Sequence, residues 1–120
     1  MGRERIFILA FILFFSGLGT SEAVSGRDLL DHCENKGTFQ HGYCYGYIQG
    51  TIDYNALADY VLSEKKMIES PKHCISSEVS LGKAVEEVVQ YLKSNPEKLN
   101  QLAGNLVLLA IDESFHCPKE

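Results

Sequence analysis

The sequence predicts an all-α protein, a small four-helix bundle stapled by two disulfides. After residue 24, apolar residues recur at helical spacing in four segments, and no segment alternates as a half-buried strand does. All four cysteines lie in the same region, which in a short chain indicates a disulfide framework. The 120-residue chain has a net charge of −5, which argues against nucleic acid or an anionic membrane as a partner and suits a basic protein.

The N-terminus has the three-part pattern of a secretory signal. Arg3 and Arg5 precede an unbroken apolar run at 6–15, and small residues then flank a cleavage position. The run is shorter than the stretch of about 20 residues that spans a bilayer. We therefore predict that residues 1–23 are a cleaved signal peptide and that 24–120 form one domain with no membrane attachment. An uncleaved anchor is the alternative.

The first helix of the mature domain is predicted over residues 26–35. Ser25 is a suitable N-cap, and Asp28 lies in the first turn, where the helix dipole favours an acidic side chain. Gly37 is expected to end the helix. Helical spacing places three residues on its inner face: Leu29, Leu30 and Cys33.

The second helix is predicted over residues 40–62. Gly46 and Gly50 lie inside it, although glycine weakens a helix interior by about 1 kcal/mol relative to alanine. We expect the two glycines to leave a groove into which another helix of the bundle packs. The inner face is assigned to Cys44, Tyr47, Ile48, Thr51, Tyr54, Ala58, Val61 and Leu62.

The third helix is predicted over residues 81–94, after a charged surface loop at 63–79. Ser80 is its expected N-cap. Its apolar face repeats at helical spacing through Leu81, Val85, Val88, Val89 and Leu92.

The last helix is predicted over residues 96–114, with Asn95 as N-cap and Pro96 at the first helical position. Its apolar surface is wide enough to be touched on two sides, so we expect it to be the central helix. The stripe comprises Leu99, Leu102, Ala103, Leu106 and Ala110, widened by Val107, Leu108 and Ile111.

Four cysteines allow three pairings. The short turn between the last two helices makes them antiparallel, which brings Cys74 and Cys117 to the same end of that pair. Cys33 and Cys44 flank the short connection between the first two helices. We therefore expect Cys33–Cys44 and Cys74–Cys117, which close loops of about 12 and 44 residues and contribute about 3 and 4 kcal/mol.

Three of these cysteines follow a histidine directly, a pattern that raises the question of a metal site. Neighbouring helical residues point about 100° apart, so such a pair rarely holds one ion. The predicted exported location also favours disulfides over thiolates. We predict no metal and no cofactor. No spacing of His, Asp and Ser suggests a catalytic set, so we predict that the chain is not an enzyme.

The motifs resemble those of the Rap/Tai immunity proteins of type VI secretion systems. The resemblance covers most of the mature chain, although His116 replaces the usual proline and residues 64–73 do not align. The matching residues are Tyr43-Cys44-Tyr45-Gly46-Tyr47-Ile48-Gln49-Gly50, Cys74-Ile75 with Val79-Ser80, Val88 to Leu92 with Asn95-Pro96-Glu97-Lys98-Leu99, then Ala103, Leu106-Val107, Ala110 and Phe115-His116-Cys117-Pro118.

The resemblance implies a helical periplasmic protein that binds and blocks a cognate secreted amidase, an effector that cleaves peptidoglycan. Gly46, Tyr47, Gly50 and Pro96 then have structural roles in packing and turn formation. A homodimer is a further possibility. The alternative function is a periplasmic acid-stress chaperone or envelope accessory protein, for which the four histidines would supply a pH response.

Two segments are candidate partner-binding surfaces. The first is the turn with Ser94 and Asn95, which Pro96 stiffens so that little ordering entropy is lost on binding. The second is the charged loop that begins with Glu64-Lys65-Lys66, which has more chemical variety and a larger ordering cost. We favour the turn as the main contact and the loop as a supporting one.

Overall fold

The structure is a computed structural model that describes residues 22–68, 75–76 and 78–115. Four α-helices and one short 3₁₀-helix make up this part of the chain, and it contains no strand beyond an isolated bridge between Ser25 and Leu102. The predicted all-α class is therefore confirmed. The elements are α1 (Gly26–Glu34), α2 (Phe39–Glu64), α3 (Leu81–Ser94), the 3₁₀-helix (Pro96–Lys98) and α4 (Ala103–Ser114).

The four helices form one bundle in which each helix contacts the other three. As expected, α4 is central: five of its residues are almost completely buried, and they meet side chains from every other helix. The buried core consists of Leu29, Cys33, Cys44, Ile48, Ala84, Val85, Val88, Leu92, Leu99, Ala103, Leu106, Val107, Ala110 and Ile111.

The start of α1 is fixed by a capping box. The Asp28 amide donates to Ser25 Oγ at 3.2 Å, and the Ser25 amide donates to Asp28 Oδ2 at 3.1 Å. Two orphan amides at the helix start are thereby satisfied. The hydrogen bonds that Asp28 accepts from Ser25 lower the pKa of its carboxyl. The N-cap predicted for Ser25 is confirmed.

The prediction of one continuous last helix is wrong for residues 96–102. Residues 96–98 form a 3₁₀ turn, and α4 begins only at Ala103. The interruption has a tertiary cause, because the segment between the two elements caps α1. The Gly26 amide donates to Gln101 O at 2.9 Å, and the Arg27 amide donates to Leu99 O at 3.0 Å. Carbonyls used in this way cannot continue an α-helix.

Gly26 allows this contact. A Cβ at position 26 would clash with Leu106 Cδ1 and would lie 3.2 Å from Leu99 O. Leu102, which the sequence assigns to the inner stripe, lies before α4 and is exposed instead.

The second helix is longer than predicted and ends in a Schellman motif. The Met67 amide donates to Leu62 O at 2.9 Å, and the Lys66 amide donates to Ser63 O at 3.0 Å. Lys66 adopts the left-handed conformation, with φ of 55°, that this ending requires. The loop predicted from residue 63 therefore begins after Glu64, and residues 69–74 and 77 lie outside the described residues.

Gly46 and Gly50 do not form the predicted groove, because no other helix of the bundle packs against them. A Cβ at either position would have no neighbour within 4 Å, and both glycines are exposed. At 100° per residue, Gly46 and Gly50 lie near each other on the side of α2 that turns away from the buried Cys44 and Ile48. A Cβ at Gly104 on α4 would lie 3.6 Å from Tyr47 Oη, which is an ordinary van der Waals contact.

A disulfide joins Cys33 on α1 to Cys44 on α2, with their Cα atoms 5.0 Å apart. This is the pairing expected for the first two cysteines, and it fixes the angle at which α2 leaves the short connection after α1. Cys74 and Cys117 lie outside the described residues. One of the two predicted disulfides is therefore observed.

Candidate partner-binding surfaces

The outward face of α2 carries the most apolar exposed surface of the described chain. Large side chains remain in solvent along the whole helix; Phe39 is 89% exposed and Tyr54 is 73% exposed. With 100° per residue, they share a face with the two exposed glycines. We call this face the α2 stripe; its members are Phe39, Tyr43, Gly46, Gly50, Tyr54, Leu57 and Val61.

Helical spacing in the sequence groups Tyr54 and Val61 with the inner face of α2, but both are exposed. The buried face runs instead through Cys44, Ile48 and Ile52. Because α2 has apolar residues on two faces, helical periodicity alone could not show which of the two the bundle covers.

Aromatic contacts anchor the N-terminal part of the stripe to α1. The Tyr43 ring lies 4.6 Å from the His32 ring and 6.1 Å from the Tyr47 ring, measured between centroids. The Tyr47 hydroxyl is oriented toward the backbone of Gly104, and burial raises the pKa of Tyr47. This end of the stripe is thus preorganised before any partner binds.

The predicted turn surface is well ordered by its own hydrogen bonds. Asn95 Nδ2 donates to Tyr91 O at 2.8 Å, so this side chain caps the end of α3 and makes no cap for the helix that follows. Lys98 Nζ donates to the Tyr91 hydroxyl at 3.0 Å, which raises the pKa of Lys98. Ser94 and Glu97 remain exposed.

A shallow groove of about 550 Å³ opens beside this turn. The Cys33–Cys44 staple region forms one wall and α3 forms the other, with Lys93 and Glu34 at the rim, 3.6 Å apart. The His41 ring contacts the Tyr45 ring at 5.0 Å within it, and His41 Nδ1 lies 3.2 Å from Cys33 O. The groove is lined by Cys33, Glu34, Lys36, His41, Tyr45, Val85, Glu86, Val89, Gln90, Lys93 and Ser94.

The structure does not bring the two predicted partner surfaces together. His41 borders the groove next to Ser94 near the start of α2, whereas Glu64 ends the same helix about 35 Å away at 1.5 Å per residue. Glu64, Lys65 and Lys66 are all exposed. A partner that binds the turn would need a large footprint to reach them.

A second cleft, of about 300 Å³, lies between α2 and the start of α3. Ile52, Ile75 and Leu108 contribute to its walls.

Across residues 22–68, 75–76 and 78–115, no three His, Cys, Asp or Glu side chains are placed to share a metal ion. No helix in this described part is long and apolar enough to span a membrane.

A comparison with known protein families identifies the family of the chain. The profile of a family described as Rap1a immunity proteins matches residues 25–117, from the N-cap of α1 to beyond the end of α4. The chain belongs to the Rap1a immunity family. No curated protein and no solved structure matches it significantly.

Membership of the Rap1a family indicates an immunity function, which means binding of a partner effector protein, and the family is generally not enzymatic. The sequence resemblance to the Rap/Tai proteins is thereby confirmed. What the sequence does not reveal is the α2 stripe. Its signal is present in the glycine and aromatic spacing of α2, but the same spacing also predicts a packing groove inside the bundle.

Proposed function

We propose that this Rap1a-family chain is a periplasmic immunity protein that binds and inhibits a peptidoglycan-cleaving amidase effector of a type VI secretion system. The observation that carries the proposal is the family match, which includes all four helices. The signal-like N-terminus supports the compartment, because an amidase that attacks peptidoglycan has to be blocked on the periplasmic side.

We further propose that the effector binds the turn between α3 and the 3₁₀-helix together with the groove beside it. Hydrogen bonds from Asn95 and Lys98 to Tyr91 hold the turn in place, so little entropy is lost when it docks. The rim pair of Lys93 and Glu34 is solvent-exposed and contributes little to folding, which leaves both charges available to a partner.

Ser94 is the sharpest probe of this surface, because it is exposed and has no part in the Asn95 cap. We expect Ser94→Arg to weaken effector binding at least about tenfold without changing the fold. Gly82→Arg is the matched control, an exposed position at the other end of the same helix. Unchanged affinity in Ser94→Arg, with a loss on replacing Glu64, Lys65 and Lys66 by alanine, would move the site to the end of α2.

The function itself is tested in cells with a candidate peptidoglycan amidase of a type VI secretion system as the effector. When that protein is directed to the periplasm it should lyse the host, and the full-length chain should restore growth. A version lacking residues 1–23 should stay in the cytoplasm and give no protection. Lysis despite abundant full-length chain would contradict the proposal, and equal protection by the truncated version would contradict the compartment.

An acid-stress chaperone is the second candidate, and one observation favours it. The His32 ring contacts the ring of Tyr43, which belongs to the large exposed apolar face of α2. A chaperone should suppress aggregation of an acid-denatured client at about pH 5, whereas an immunity protein should leave the client unprotected and bind its effector at about pH 7.

A further inference from the structure

The predicted cleavage position lies at the edge of the folded bundle. Residues 1–23 form the predicted signal, so the bond to be cut joins Ala23 to Val24. Glu22 and Ala23 are exposed, whereas Val24 is partly buried against the core and Gly26 is buried. The chain therefore passes from solvent into the core within three residues of this bond.

The backbone directly after the bond is already hydrogen-bonded to another part of the bundle. Val24 O accepts a hydrogen bond from the Ala103 amide at 2.8 Å, and the Gly26 amide donates to Gln101 O at 2.9 Å. Together they form an isolated antiparallel bridge. A receptor that holds an extended peptide uses backbone groups of this kind. In the folded chain these groups are occupied, so a protease cannot bind them.

The next residues are fixed by the start of α1. The Ser25 amide donates to Asp28 Oδ2 at 3.1 Å in the capping box, and the Arg27 amide donates to Leu99 O at 3.0 Å. Each residue from 24 to 27 thus has a backbone group in a hydrogen bond of the folded chain. Binding of this segment to a protease as an extended strand would break these bonds.

We propose that a signal peptidase hydrolyses the bond between Ala23 and Val24 only before α1 docks on the bundle, so that removal of the signal precedes folding. When the C–N bond breaks, water supplies the hydroxyl that joins the Ala23 carbonyl carbon and the hydrogen that joins the Val24 nitrogen. A chain that folds first keeps residues 1–23. The proposal rests on the predicted signal, as the proposed compartment does, and it is independent of the effector.

Fraying of the segment is not enough to expose the bond, because the packing of α1 holds it. Gly26 lies against Leu106, whose side chain is completely buried. Leu29 and Cys33 on the same helix are also in the core, and a disulfide joins Cys33 to α2. Detachment of residues 24–26 therefore disrupts the start of α1. When cleavage requires such an opening, its rate falls in proportion to the population of the open form.

Cleavage of the full-length precursor by purified signal peptidase tests the proposal. The precursor is folded in a mild detergent, and mass spectrometry identifies the bond that is cut. We expect the native chain to be cut at least about 100-fold more slowly than Leu106→Asp, in which a charge placed in the core prevents folding. Leu109→Asp is the matched control, because Leu109 lies on the same helix and is 46% exposed. It should fold and resist cleavage as the native chain does.

A milder change at the same position tests the link between cleavage and stability. Leu106→Ala should be cut at least about tenfold faster than the native chain, because loss of a buried side chain raises the population of the open form. If circular dichroism shows that Leu106→Ala does not fold, it should be cut as fast as Leu106→Asp. All three variants leave the sequence around the bond intact.

Two results would overturn the proposal. Cleavage of the folded native chain as fast as that of Leu106→Asp would show that the bundle does not protect the bond, and the predicted signal would still stand. No cut between Ala23 and Val24 in any of these chains would overturn the proposal together with the predicted signal. Neither result changes what is expected of effector inhibition.

Discussion

At the scale of single residues, Gly26 is the position with the least room for change. Its Cβ site is occupied by Leu106 on one side and by the backbone of Leu99 on the other, so three segments of the bundle meet there. This crowding exists only in the folded chain. From the sequence, Gly26 is merely the first residue after a good N-cap, and its packing role could not be deduced.

We therefore predict that Gly26→Ala lowers the free energy of unfolding by about 1–3 kcal/mol, because the backbone of Leu99 cannot move without breaking the hydrogen bond it accepts from Arg27. Urea denaturation measures the change. Gly82→Ala is the control, since this exposed helical glycine should gain about 0.5–1 kcal/mol from the same substitution. Equal effects at both positions would contradict the close packing of α1.

Asp28 gives the structure a predictable acid sensitivity. Because the hydrogen bonds from Ser25 lower its pKa, the ionised form stabilises the fold above the ordinary pKa of 3.8, and this contribution is lost as the pH falls through the lowered value. The pKa of Glu87 is lowered in the same direction by its hydrogen bonds with Lys83 and Ser114. We expect Asp28→Asn to flatten the fall in stability between about pH 5 and 2 without abolishing it. A slope identical to that of the native chain, measured by urea midpoints, would contradict the capping box.

Helix caps are the residue-level features that the sequence predicts best, although the prediction for Asn95 is wrong. Ser25 and Ser80 both accept the expected amide hydrogen bonds, from Asp28 and Lys83. Asn95 is predicted to start a helix, but its side chain ends the preceding one by donating to Tyr91 O. An asparagine between two helices can serve either, and only the path of the backbone decides between them.

At the scale of elements, α2 has two apolar faces, of which one is buried and the other is exposed. One face enters the core through Cys44 and Ile48, and the other remains exposed as the α2 stripe. The helix extends beyond its predicted end, because that end depends on the left-handed Lys66 and no glycine marks the stop. The break in the predicted last helix could not be predicted from the sequence either. It arises because the carbonyls of Leu99 and Gln101 accept hydrogen bonds from backbone amides of α1.

The open position of Gly46 reverses the expected effect of substitution. If Gly46 packed inside the bundle, any side chain at this position would destabilise the fold. A Cβ at Gly46 would instead meet no atom within 4 Å. Gly46→Ala should therefore raise the stability of the chain by about 0.5–1 kcal/mol, because alanine has the higher helix propensity. Urea denaturation measures the change, with Gly82→Ala as the control for helix propensity at another exposed glycine. A loss of stability in Gly46→Ala would show that Gly46 packs inside the bundle.

At the scale of the whole molecule, the bundle is held by a buried core and by the disulfide between α1 and α2. The predicted second bridge, Cys74–Cys117, lies outside the described residues and stays a prediction. Ser114 Oγ donates to Glu87 Oε2 at 3.1 Å, which fixes the end of α4 against α3. Cys117 follows three residues later in the sequence.

Non-reducing peptide mapping should therefore recover Cys74 linked to Cys117, beside a separate Cys33–Cys44 peptide. The same digest after reduction and alkylation is the control that assigns each cysteine. Free thiols at positions 74 and 117, or a crossed pairing with Cys33 or Cys44, would contradict the predicted framework.

The helical class, the central helix and the first disulfide could be predicted because they depend on local spacing and short connections. The two candidate partner surfaces could be named from the sequence but not placed, since the distance of about 35 Å from the groove end of α2 at His41 to Glu64 follows from the continuity of that helix. The turn at Ser94 has a groove beside it, built by side chains from three helices, which no single segment of sequence encodes.

The central claim is that this Rap1a-family chain inhibits an amidase effector by binding it. The most direct test measures the hydrolysis of purified peptidoglycan by a candidate amidase effector while increasing amounts of this chain are added. We expect a sharp endpoint at one chain per effector and complete loss of activity. Ser94→Arg should require a large excess, and Gly82→Arg should behave as the native chain. Undiminished hydrolysis at about a tenfold excess of the native chain would contradict it.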